Sequence, residues 1–174
     1  CRNLQFDDCV WGGMVNPKLA VALTGRSGEA LEDYKKLMLK LNNEVAAAAP
    51  EDLLINTHVC RGNYHSTFFS SGAYDSVADL LFGEENVNAY YLEYDDKRSG
   101  GFAPLAKVSG DKKVVLGLIT TKIPQLEDKG KVIARGSRVV RQQPLDRRSA
   151  GREVAKPESA HPDCHAGRQG GEGR

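Results

Sequence analysis

No aromatic residue occurs after Phe102: all twelve Phe, Tyr and Trp of this 174-residue chain lie at or before it. The last 40 residues, 135–174, hold eight of the twelve Arg but few large apolar side chains, so they lack the material for a packed core. No apolar run approaches the roughly 18–20 residues that span a bilayer, which excludes insertion as a membrane helix. An excess of one charge is missing too. The 24 Lys+Arg against 23 Asp+Glu leave a net +1, which argues against a phosphate-driven nucleic-acid binder. Neither a secretory signal nor the regular spacing of a disulfide scaffold accompanies the four Cys, at 1, 9, 60 and 164. They read as reduced thiols of a cytoplasmic protein, open to thiolate chemistry or metal binding. No Met opens the chain, and a strand-like segment follows Cys1 at once, as expected for a piece of something longer.

Such a composition fits one ordinary soluble domain with a split in charge. Residues 1–134 carry 15 Lys+Arg and 18 Asp+Glu, whereas residues 135–174 carry 9 and 5, so the body is net −3 and the tail +4. The expected division is a core-forming body over 1–134 and a basic, low-aromatic tail over 135–174 that is disordered or frameshifted. A shifted reading frame would produce this loss of apolar residues with a gain of Arg and Gly, and the coding DNA read in all three frames would test it.

Four short β-rich runs stand out, Asn3–Phe6, Leu53–His58, Ala89–Tyr94 and Val114–Thr120, the last three dense in Leu, Ile, Val and Tyr. Between the first two, Leu31, Tyr34, Met38, Leu41 and Val45 recur at helical spacing after Ser27 as N-cap, and Pro50 closes the stretch. A second helix is expected over Asp75–Phe82 with Gly83 as its stop, and a third after Pro124. Strands alternating with helices imply parallel β/α units. Four units are half of a (β/α)8 TIM barrel, so the body reads as an α/β partial barrel, its C-terminal half, followed by an irregular tail. A small doubly wound sheet fits the same pattern.

In parallel architectures, function gathers where strands end. The four ends carry Asp7 and Asp8; His58 and Cys60 followed by Arg61; Glu93, Asp95 and Asp96; and Thr120, Thr121 and Lys122. In Thr57-His58-Val59-Cys60 the imidazole and thiol project the same way from extended chain and reach one tetrahedral ion, to which Glu93 would add a carboxylate. The bland alternatives are a small buried Cys, a satisfied core His, a capping or solvated Asp7-Asp8 pair and a solvated Lys122. Glu93 within an apolar run needs a cation or a donor in any case. Trp11, Tyr90 and Tyr91 read as core or pocket wall.

Leu4-Gln5-Phe6-Asp7-Asp8, Thr57-His58-Val59-Cys60-Arg61-Gly62-Asn63-Tyr64, Tyr91-Leu92-Glu93-Tyr94-Asp95-Asp96 and Leu116-Gly117-Leu118-Ile119-Thr120-Thr121-Lys122 occur in this order. Together they resemble the C-terminal catalytic domain of cobalamin-independent methionine synthase, above all its stand-alone single-barrel relatives. The resemblance covers residues 1 to about 134. It implies a barrel that binds zinc and activates a thiol, homocysteine, for methyl transfer from a methyltetrahydrofolate polyglutamate in methionine biosynthesis. His58, Cys60 and Glu93 match the family's metal ligands, and Asp7 matches the aspartate that holds the amino group of homocysteine. A metal lowers the pKa of a bound thiol, and a carboxylate suits an ammonium, so the chemistry is coherent.

Two departures accompany the resemblance. Core members carry a histidine, as acid, after the fourth strand, where this chain has Thr120, and a hydroxyl cannot replace an imidazole acid near neutral pH. The family's final strand and last cysteine ligand give way here to the basic tail after Gly136-Ser137-Arg138. Cys164, in His161-Pro162-Asp163-Cys164-His165, is the only Cys in the C-terminal part placed to act as the fourth ligand, and His161 and His165 could bind metal adventitiously. The contrasting expectation is an inactive fragment or association module whose two open sheet edges drive self-association.

Overall fold

The computed structural model describes residues 1–142, with side chains to residue 138. Four strands, β1 (Asn3–Asp7), β2 (Leu54–Val59), β3 (Ala89–Glu93) and β4 (Lys113–Gly117), form one sheet in the order β1-β2-β3-β4, every pair parallel. Five helices accompany them: α1 (Cys9–Met14), α2 (Pro17–Thr24), α3 (Gly28–Ala47), α4 (Ala78–Glu84) and α5 (Lys129–Gln142). All four expected strands form within a residue or two of the expected limits at their starts. β4 ends at Gly117, short of the expected Thr120.

Sequential order has a physical consequence. Right-handed crossovers that always step in the same direction deliver their connections to the same face of a sheet, whereas a doubly wound sheet needs a reversal of order. The described strands contain no reversal, so the doubly wound alternative is set aside and a singly wound, TIM-like succession of β/α units is what this body displays. Strand alternation then divides the side chains. Ile55, Val59, Tyr90 and Leu92, backed by Val114 and Leu116, join the hydrophobic core, while His58, Cys60, Tyr91, Glu93, Val115 and Ile119 line a cleft on the other side.

Trp11, Tyr74, Leu81, Phe82, Tyr90 and Tyr94 are fully buried in that core. Ring centroids lie 5.2 Å apart for Tyr74–Tyr94 and 5.3 Å apart for Phe82–Tyr90, the spacing that aromatic quadrupoles favour. Truncating Trp11 to Ala would cost about 3–5 kcal/mol through its cavity.

Helix α3 corrects the expected stripe. Its deeply buried positions are Leu31, Lys35 and Leu39, whereas Leu41 and Val45 stay largely exposed beside Leu4 and Leu53. Lys35 is tolerated inside because its Nζ donates to Glu32 Oε1 at 2.8 Å and to the Ser76 carbonyl at 3.2 Å. Ser27 has the extended backbone of an N-cap but makes no capping bond. The expected second helix is split: a 3-10 turn over Tyr74–Ser76 precedes α4, which runs through Gly83 to Glu84. The third starts at Lys129, later than Pro124 suggests, and crosses the 134/135 line at which the composition changes.

Candidate functional site

At the carboxyl ends of β2 and β3, His58, Cys60 and Glu93 line one cleft of about 370 Å3 with Tyr91, Asp95 and Lys122. The i, i+2 spacing on each strand brings them to a common side. A larger cavity, about 840 Å3, lies against Phe102, Leu105, Arg135 and Arg138, and among the described residues no metal-ligating side chain lines it. Of the remaining expected residues, Asp7 stands at the neighbouring strand end, and Cys164 lies outside the described residues.

The Asp7-Asp8 pair divides its work. Asp8 Oδ1 accepts from the backbone N–H groups of Val10 (3.2 Å) and Trp11 (3.4 Å), the N-cap of α1. Its own N–H donates to the His58 carbonyl at 2.8 Å, tying the helix start to β2. Asp7 Oδ1 lies 2.9 Å from His58 Nδ1, which fixes the imidazole and leaves Nε2 as the ring nitrogen available to a ligand.

Cys60 Sγ accepts the Gly62 N–H at 3.3 Å, which holds the sulfur at the mouth of its loop. The ligand atoms of Asp7, Cys9 and Cys60 all lie within 4.8 Å of one another. Desolvation, and after it the adjacent Cys60 and Asp7, push the Cys9 thiol above its ordinary pKa. Sequence reasoning passed over Cys9. Its signal was position: a Cys at the first turn of a helix capped by a strand-end Asp.

Glu93 has the cations that its apolar setting demanded. Arg98 Nη2 donates to Glu93 Oε1 and Asp95 Oδ1, both at 2.9 Å, and Lys122 Nζ donates to Glu93 Oε1 at 3.0 Å and Asp95 Oδ2 at 3.1 Å. Lys122 is therefore no solvated lysine: its side chain is 11% exposed. Burial alone would raise the Asp95 carboxyl, but hydrogen bonds from Thr120 and Lys122, with the charges of Lys122 and Arg98, outweigh it and hold Asp95 below the usual range. Lys122 and Arg98 are held charged by the same contacts, against their desolvation.

Arg61 is a second residue whose role the sequence did not reveal. It is fully buried, stacked 4.2 Å from the Tyr74 ring centre, with Nη1 donating to the Gly72 carbonyl at 2.6 Å. Its own carbonyl accepts from Phe69 at 2.8 Å and Ser70 at 3.1 Å. The loop after Cys60 is thus clamped at both ends, which fixes where the thiol points.

No family model matches the chain. The uncharacterized proteins YxjG and YxjH of Bacillus subtilis strain 168 are 40% and 41% identical to it over 129 residues, 74% of this chain. The chain spans about a third of their length, 34% in each case. A crystal structure from Listeria monocytogenes, provisionally described as a vitamin-B12 independent methionine synthase, matches with a TM-score of 0.61 and 34% identity, over 83% of this chain and 39% of that one. The similarity to that structure therefore holds in both sequence and fold, over about two fifths of its length.

Proposed function

We propose that this chain carries part of the active site of a zinc-dependent S-methyltransferase that methylates a small thiol, homocysteine, in a reducing compartment such as the cytoplasm. The donor is a methyltetrahydrofolate, in its polyglutamate form. One observation carries the reading: His58, Cys60 and Glu93 line a single cleft at the carboxyl ends of parallel strands. The donors fit the metal, since imidazole, thiolate and carboxylate are the groups that zinc takes. When bound, zinc lowers the pKa of a coordinated thiol and so supplies a thiolate at neutral pH.

The chain's own residues do the rest. His58, its Nδ1 held by Asp7, presents Nε2, and Cys60 is steadied by the Gly62 N–H. Asp7 is 70% exposed at its side chain, so one carboxylate oxygen remains for the ammonium of the amino-acid thiol. In the transfer a sulfur–carbon bond forms as the methyl's bond to the donor nitrogen breaks, and the proton lost by the thiol balances the one gained by that nitrogen. Thr120 does not supply that proton, because an aliphatic hydroxyl is too weak an acid near neutral pH. Cys164 is proposed as a further ligand, and the basic chain beyond α5, rather than all of residues 135–174, as the tail.

Bound zinc in purified protein, wild type beside Cys60→Ser, tests this reading. Near-stoichiometric zinc in the wild type that is lost in the variant is expected; a folded wild type that excludes zinc overturns it.

A second reading, an inactive association module, draws on the cleft side of the sheet, where Val115 and Ile119 are 42% and 58% exposed. Its mark is concentration-dependent self-association without bound metal.

A further inference from the structure

We infer that Cys9 and Cys60 form a dithiolate site for a soft divalent cation, with Asp7 as its carboxylate. The inference rests on the reading that Cys60 holds a metal; it adds Cys9 to that same site and gives the free oxygen of Asp7 to the cation in place of the substrate's ammonium.

The three ligand atoms already lie within 4.8 Å of one another. A tetrahedral ion with donors at about 2.1–2.3 Å spaces them roughly 3.4–3.8 Å apart, so an ångström of side-chain rotation closes the set. The placement of Cys9 is built by several independent contacts. Asp8 caps the helix that begins at Cys9 and is itself tied to the His58 carbonyl. Asn42 Nδ2, from α3, holds the other Asp8 oxygen at 2.7 Å. One turn along α1, a Cβ on Gly12 would lie 1.9 Å from the Cys60 carbonyl oxygen, so only glycine lets the helix sit this close to the strand end.

Charge and chemistry point the same way. Two thiols and a carboxylate are an anionic donor set once deprotonated, and a divalent cation relieves their mutual repulsion. The neighbouring cationic groups do not serve it: Arg98 and Lys122 are engaged with Glu93 and Asp95. That engagement also leaves Glu93 less available than Cys9. Two sulfurs in the set select zinc or cobalt over magnesium or calcium.

Cobalt(II) titration under a phosphine reductant tests the inference, read by the near-ultraviolet thiolate-to-cobalt charge-transfer band and by competition with a chelator. Wild type is expected to show the band intensity of two thiolates. Cys9→Ser should roughly halve it and weaken cobalt at least about ten-fold. Because the Cys9 side chain is exposed, the urea midpoint of this variant should stay at the wild-type value, which separates ligand loss from unfolding. If Cys9→Ser keeps the full band and affinity while Cys60→Ser and Glu93→Gln lose them, the dithiolate is overturned and the His58–Cys60–Glu93 set stands. If Cys60→Ser also binds as wild type, or the wild type binds no cobalt, both readings fall.

Discussion

Gly12 and the carbonyl of Cys60 are in direct backbone contact: a Cβ on Gly12 would come within 1.9 Å of that oxygen, where no rotamer offers relief. Gly12→Ala should therefore destabilise the fold by about 1–3 kcal/mol through overpacking. Gly13→Ala is the control, since its Cβ would meet only the movable Leu23 Cδ1, at 2.8 Å, and Phe69 beyond. Urea unfolding of the two variants should separate them clearly, with Gly12→Ala the worse.

Glu85 sets the pH dependence. It is fully buried, and burial raises its carboxyl from 4.5 to about 7; the Asn42 amide at 2.8 Å, the Trp11 indole and Lys112 oppose the rise, while Asp8 adds to it. The indole N–H faces the carboxyl without a well-formed hydrogen bond, and Tyr90 reaches only the Glu85 backbone carbonyl. A folded state that binds this proton more tightly than the unfolded chain is stabilised at low pH, and that stability is lost as pH rises from about 4.5 through about 7. The contribution is on the order of 3 kcal/mol. Glu85→Gln should remove this slope, so its advantage over wild type should grow across the same window in denaturant titrations and then level off.

The Arg98 network makes the opposite prediction. Arg98→Met strips Glu93, Asp95 and Asp96 of a shared partner whose side chain is 9% exposed, and should cost roughly 3 kcal/mol at neutral pH, the low end for a buried pair because the network opens onto the cleft. Asp95, held below its usual range, contributes stability above the unfolded carboxyl value near 3.8 that is lost as pH falls through its folded value. The penalty of Arg98→Met should accordingly shrink below about pH 4; an unchanged penalty in acid would assign the effect to packing.

Self-association should follow the cleft side of the sheet. If the association reading holds, Val115→Lys with Ile119→Lys should abolish concentration-dependent sedimentation of the wild type at unchanged far-ultraviolet dichroism. A wild type that sediments as a monomer at all concentrations would dismiss that reading.

Strands β2 and β3 were legible because buried parallel strands are short and largely apolar, whereas the mostly exposed β1 and the half-buried β4 stand out by their alternation of apolar and polar or small residues. The strand ends that carry His58, Cys60 and Glu93 were legible with them. Helices α1 and α2 were not read, although Asp8 and the Asn16-Pro17 pair are visible start signals and Gly25, at φ +67°, is a stop. Their brevity hides the periodicity on which such readings depend. Lys35 and Arg61 defeat sequence reasoning outright, since their burial depends on the Ser76 and Gly72 carbonyls far along the chain. The proximity of Cys9 to Cys60 belongs to the same class: 51 residues separate them, and the β1–β2 pairing, the Asp8–His58 bond and the close approach at Gly12 bring them together.

Because side chains alternate along each strand, most residues that pack the core point away from most of those that line the cleft, and Leu92 and Leu116 border both. Exchanging His58, Cys60, Tyr91 or Val115 leaves Val59, Tyr90 and Val114 in their packing, so the lining of the cleft can vary by single substitutions at strand ends while the core stays as it is.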